Sequence, residues 1–181
     1  MRSLVVPVLL SLSLLSAASL EATGPSTATY PRPEDVASPD AIVAALYEVI
    51  SGPAGQPRDF DRMRSLFMPG AILVATAPRP DGTVGHRTMS VDDYIASNGP
   101  GLTASGFTER EIGRTSERFG TIMHTFSAYE GTFTHDDGRP GSVRGINTIQ
   151  LFGDGTRWWI VSVLWQPEDA EKIPKRYLGK S

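Results

Sequence analysis

From Phe107 to Trp165 the chain reads as one strand after another, whereas the segments with helical period all lie earlier, between Ser38 and Ser97. This segregation is the strongest constraint on the fold. Helices gathered first and antiparallel strands last specify an α+β domain, with helices packed on one face of a curved sheet. A polar strand runs from Phe107 to about Arg118 and turns at Phe119-Gly120, and a longer strand returns from Thr121 to Thr134. The loop from His135 to Gly141 leads into a strand from Ser142 to Phe152. Asp154-Gly155 then matches a two-residue hairpin turn, which needs positive φ, before a last strand from Trp158 to Trp165.

The helices carry their own start and stop signals. Ser38 is placed to cap the first, with Pro39 at its first position and Asp40 in its first turn. Ile42, Ala45, Leu46 and Val49 give it one apolar face, and Gly52-Pro53 stops it. A second helix runs from the cap Asp59 to Phe67. The apolar run Ala71 to Ala75, the turn Pro80-Asp81-Gly82 and the polar segment through Met89 read as a hairpin. Ser90 with Asp93 resembles a capping box and opens a third helix, which Asn98-Gly99-Pro100-Gly101 is expected to break near Ser97.

At the amino terminus Arg2, the apolar run Leu4 to Leu15 and the small residues Ser16-Ala17-Ala18 follow the layout of a secretory signal peptide. A membrane span needs about 20 apolar residues, and this run is shorter and contains Pro7. The expected organisation is a signal peptide over 1–18, a disordered linker over 19–38, one domain over 39–167 and a tail over 168–181, in a secreted or periplasmic protein. The chain has no cysteine, so burial and not disulfide cross-linking must stabilise it. A formal net charge of −3 with both signs scattered argues against nucleic-acid binding and against attachment to anionic lipid once the signal is removed.

The segments Arg118-Phe119-Gly120, His124 to Glu130, Arg144-Gly145-Ile146-Asn147 and Asp154 to Val161, with three helices, an early hairpin and a four-stranded meander, carry a resemblance. From Asp40 to Gln166 the chain resembles the nuclear-transport-factor-2-like (ketosteroid-isomerase-like, SnoaL-like) superfamily, in a bacterial exported branch. The resemblance implies a cone-shaped domain, three N-terminal helices on a curved, mainly antiparallel sheet, and homodimers through that sheet. It implies no single activity, because the superfamily holds isomerases, cyclases, dehydratases and hydrolases, and no catalytic residue carries over.

Hairpin pairing sorts the strand residues into two faces. The Asp154-Gly155 turn pairs Leu151 with Trp158, Ile149 with Ile160 and Asn147 with Ser162, and pairing Thr134 with Ser142 adds Tyr129, Ser127 and Thr125. The other face then holds His124, Phe126, Glu130, Arg144, Ile146, Gln150, Trp159, Val161, Val163 and Trp165. Tyr129, Asn147 and Ser162 beside Trp158 have the composition of a small-ligand pocket; a buried ladder that fixes register is the competing reading. His124 is a candidate general base or a structural histidine. Glu130 and Arg144 could hold an acidic or carbonyl ligand or simply pair with each other. His86, His124 and His135 are too scattered for a metal site, and no phosphate loop or nucleophile elbow is present, so no cofactor is expected. The expected function is binding of a small, largely apolar molecule between helices and sheet, with an isomerase, cyclase or dehydratase using His124 or Glu130 as the alternative. The apolar second face predicts a homodimer, or else a carboxy-terminal tail folded back over it.

Overall fold

The computed structural model describes residues 31–169 and 172–178, so the expected signal peptide and the linker as far as residue 30 lie outside the described residues. Among the described residues three helices, α1 (Pro39–Ile50), α2 (Phe60–Leu66) and α3 (Val91–Ser105), accompany six strands: β1 (Phe67–Pro78), β2 (Val84–Met89), β3 (Thr108–Phe119), β4 (Ile122–Thr134), β5 (Pro140–Gly153) and β6 (Trp158–Pro167). The strands form one sheet in the order β2-β1-β6-β5-β4-β3, with only β1 and β6 parallel. This is the expected α+β, mainly antiparallel architecture.

The caps act as the sequence predicts. Ser38 Oγ accepts from Ala41 N at 3.1 Å, Asp59 from Arg62 N at 2.9 Å, and Ser90 and Asp93 form the reciprocal box. The end of α3 differs from expectation: the helix runs through Asn98-Gly99-Pro100-Gly101 and stops only at Gly106, whose φ of 66° forms a left-handed cap. A helix-interior proline costs about 3 kcal/mol, and packing offsets it here. Tyr94, Ile95 and Leu102 pack against the core, and buried Gly99 lets α3 approach the Phe60 ring so closely that a Cβ would lie 2.8 Å from it. The end of the linker is also ordered. A 3-10 turn, Pro33–Val36, buries Val36 and places Asp35 against Arg62, with contacts of 2.7 and 2.8 Å.

The pairing of β5 with β6 departs from the predicted register in two steps. Asp154 accepts from Thr156 N, Thr156 Oγ1 and Arg157 N, which closes a four-residue loop in which Gly153 faces Trp158. That shift of two keeps the faces. A bulge then follows, since Leu151 pairs with Ile160 but Gln150 with Ser162, leaving Val161 as the extra residue. Beyond it every side chain of β6 changes face. Ser162 therefore lies opposite to Asn147, while Val163 and Trp165 turn toward the helices. The β4–β5 pairing, Thr134 with Pro140, is displaced by two from expectation and so preserves the predicted face of Tyr129, Ser127 and Thr125.

The core lies between helices and sheet, with Ile42, Met63, Leu66, Ile149, Leu151 and Ile160 almost completely buried. Each such side chain contributes about 1.5–3 kcal/mol. On the outer face the tail folds back. Glu168 N donates to Arg144 O at 2.6 Å, and the Tyr177 ring, on a second 3-10 turn (Lys175–Tyr177), stacks on Phe126 with centroids 5.4 Å apart. Ile72, Phe119, Ile122, Phe126 and Leu164 stay exposed.

Candidate functional site

Between helices and sheet lies a partly open cavity of about 280 Å³, near the lower limit for small-molecule sites. α1 contributes Leu46, Tyr47 and Ile50, α3 contributes Tyr94, Asn98 and Leu102, and the strands contribute Glu109, Tyr129, Asn147 and Trp165. The wall is mostly apolar or aromatic, with the Tyr94 ring set edge-on to Trp165 at 6.0 Å.

Among the described residues Glu109 is the one carboxyl on this wall. Its backbone is fixed by Ser51 at the end of α1: Ser51 Oγ accepts from Glu109 N at 2.8 Å and donates to Tyr47 O at 2.7 Å. Among the described residues its side chain has no cationic partner, only Asn147 Nδ2 at 3.1 Å. Burial pushes the carboxyl up to about 7, against the smaller opposing effect of the Asn147 amide. Burial likewise raises the Tyr47, Tyr94 and Tyr129 phenols, which are neutral at physiological pH.

The hydrogen bonds behind Glu109 have a fixed direction. Ser127 Oγ donates to Glu111, which Arg114 Nε meets at 3.2 Å while Arg114 Nη2 reaches Asp40 at 3.0 Å. Ser127 has one proton to give, so the Tyr47 hydroxyl, 2.7 Å away, must donate to it. Tyr47 therefore accepts from Asn147 Nδ2 at 3.1 Å, and both amide protons of Asn147 are committed, one to Tyr47 and one to Glu109. The Tyr94 and Tyr129 hydroxyls have no hydrogen-bond partner among the described residues. Both tyrosines line the cavity together with Glu109, a carboxyl that can take or give a proton near neutrality.

Arg58 secures the rim. Its buried guanidinium donates to the carbonyls of Ile50, Gly52, Pro53, Gln56, Leu102 and Phe107, tying the ends of α1 and α3 to the start of β3. Leu102 and Phe107 themselves line the cavity.

Of the residues singled out in the sequence, Tyr129 and Asn147 meet on this wall. Trp158 shares their face but lines a separate hollow at the far end of the sheet. Ser162 is on the outer face because of the β6 bulge. Arg144 is also outside, 3.8 Å from Glu168, and Glu130 pairs with Arg110 rather than with the adjacent Arg144. His124 is on the outer face with its side chain 41% exposed and Nε2 4.0 Å from Glu117. Neither His124 nor Glu130 can serve the cavity as a base. Sequence reasoning missed Glu109, Tyr47 and Tyr94. Counting back along β3 from its turn puts Glu109 outside, and only the bulge between Glu111 and Gly113 turns it inward. Among the described residues no group of three histidine, cysteine or acidic side chains is arranged to hold a metal, and no helix is long and apolar enough to cross a membrane.

No family model and no curated protein matches the chain. Solved structures do. A nuclear transport factor 2-like superfamily protein from Salmonella enterica is 17% identical, with a TM-score of 0.51 over 68% of this chain and 84% of that one. A candidate aromatic ring hydroxylase from Novosphingobium aromaticivorans is 11% identical, with a TM-score of 0.54 over 70% and 84%. An uncharacterised protein with a cystatin-like fold from Caulobacter vibrioides is 10% identical, with a TM-score of 0.51 over 72% and 87%. Identities this low establish a shared fold and nothing further.

Proposed function

On the premise that the chain has the nuclear-transport-factor-2-like fold, we propose that its cavity takes one small, largely apolar molecule bearing a carbonyl group, and that Glu109 moves a proton on it. The reaction class is isomerisation or dehydration. The observation that carries this reading is Glu109 itself, a carboxyl without a cation, raised to about 7 at the wall of an apolar cavity. A general base works best when its pKa lies near the working pH. Tyr94 or Tyr129 would donate to the carbonyl oxygen as charge develops there. We place the protein outside the cytoplasm on the pattern of its first 18 residues.

The experiment is a thermal-shift screen of apolar ketones, enones and hydroxyketones, followed by turnover assays on each hit. A ligand at 100 times its Kd stabilises by about 2.7 kcal/mol. Turnover should rise with pH through about 7 as Glu109 ionises. Glu109→Gln should abolish turnover while retaining the thermal shift. Turnover that survives in Glu109→Gln would defeat the proton-transfer role, and stabilisation without turnover would leave a binding protein.

A further inference from the structure

Two motifs that stand out in the sequence, Arg118-Phe119-Gly120 and Asp154 to Trp159, take no part in the cavity around Glu109, yet the fold brings them together. The β3–β4 turn and the β5–β6 loop are joined by a hydrogen bond from Gly153 N to Thr121 O at 2.8 Å. Between them and Ala37, which leads into α1, lies a second hollow of about 220 Å³ whose wall includes Arg118, Thr121, Thr156, Arg157 and Trp158.

Both guanidiniums are held in place by neutral groups. Arg118 Nε donates to Gly120 O at 3.0 Å and its guanidinium lies 4.9 Å over the Trp158 ring. Arg157 donates from Nε to Trp158 O and from Nη2 to Ser65 O at 2.6 Å. Among the described residues neither has a carboxylate within ion-pair distance, and no acidic residue lines the hollow. The Asp154 carboxylate is close in sequence but is occupied by donors from Thr156, Arg157 and Trp159. Each guanidinium has five N–H donors in a fork that matches an oxyanion, and most are unspent here. Burial also disfavours the charge on Arg157, a cost that a bound anion would offset.

We propose that this hollow is a second ligand site, in which Arg118 and Arg157 bind a small oxyanion, a phosphoryl or carboxylate group, with Trp158 packing against what the group is attached to. The site is independent of Glu109.

The test titrates the full mature chain with inorganic phosphate, and separately with benzoate, at constant ionic strength set by sodium chloride. Tryptophan fluorescence reads the affinity, and the arginine Nε–H and indole N–H signals in NMR locate it. The expected result is a saturable response from at least one oxyanion, with shifts at Arg118, Arg157 and Trp158, which chloride does not reproduce. Phosphate alone would assign a phosphoryl ligand and benzoate alone an aryl or alkyl carboxylate. Arg118→Met alters an exposed side chain and should leave the fold intact while weakening binding by about tenfold or more. Glu109→Gln should bind as the parent does. No saturable response to either anion, shifts elsewhere on the surface, or unchanged affinity in Arg118→Met would overturn the proposal.

Discussion

Replacing Glu109 by Gln tests whether the cavity wall holds a carboxyl that resists ionisation. In the unfolded chain a glutamate ionises near 4.5, and in the folded protein burial moves Glu109 to about 7. Between these values the folded state retains a proton that the unfolded state has released. The acid's raised pKa therefore makes stability fall as pH rises through this window, with the loss complete above about 7. A gap of about two and a half pH units corresponds to about 3–4 kcal/mol at most, and about 2 kcal/mol is expected because the side chain is only part-buried. Gln cannot ionise and still accepts the Asn147 amide proton, so the variant escapes the loss. Urea denaturation followed by tryptophan fluorescence, for both proteins at about pH 4 and about pH 8.5, should give nearly equal stabilities at the lower pH, below the unfolded-chain value, and a more stable variant at the higher. Titrations elsewhere in the chain cancel in the difference. A difference that does not change with pH, or a wild-type protein that is the more stable at about pH 8.5, would refute the reasoning.

Arg58→Ala should destabilise the fold by about 3 kcal/mol or more, because several buried carbonyls lose their donor at once; Arg58→Lys, with a compact head that cannot reach them all, should recover little. A loss below about 1 kcal/mol in chemical denaturation would show that water replaces the guanidinium. A chain ending at Pro167 should self-associate more strongly than the full chain in light scattering, because Phe126 loses the Tyr177 ring stacked on it; equal masses would deny the tail its covering role. Intact-mass analysis of protein from the native host should give a start between Ser19 and Thr23, and a chain retaining Met1 would contradict export.

The helix caps, the order of elements and the two-residue periodicity of β4 and β5 were legible in the sequence because each depends on neighbours within a few residues. Ser38, Asp59 and Ser90 cap where expected, and Tyr129 and Asn147 share a face because the loop error between their strands was an even number. What could not be read were two inserted residues. One extra residue in β6, Val161, sends Ser162 outward and brings Val163 and Trp165 in; one extra residue in β3 turns Glu109 inward. A bulge is set by packing across the sheet and leaves little local signature. For the same reason α3 outran its Pro100: the contacts of Tyr94, Gly99 and Leu102 with distant parts of the chain outweigh a local break signal. Glu109 went unnoticed because the inward side of β3 depends on one bulge, whereas His124 and Glu130 lie on the outer face to which hairpin pairing assigns them.

Arg58 has a consequence for how fast the cavity can exchange its contents. The carbonyls of Leu102 and Phe107 cannot move apart without stripping partners from a buried cation, so the wall between α3 and β3 should open only in rare, high-energy fluctuations. Amides beside Arg58 would then exchange with solvent as slowly as those of the central strands. A ligand would have to enter and leave on the side away from Arg58, and its residence time would be governed by motion there.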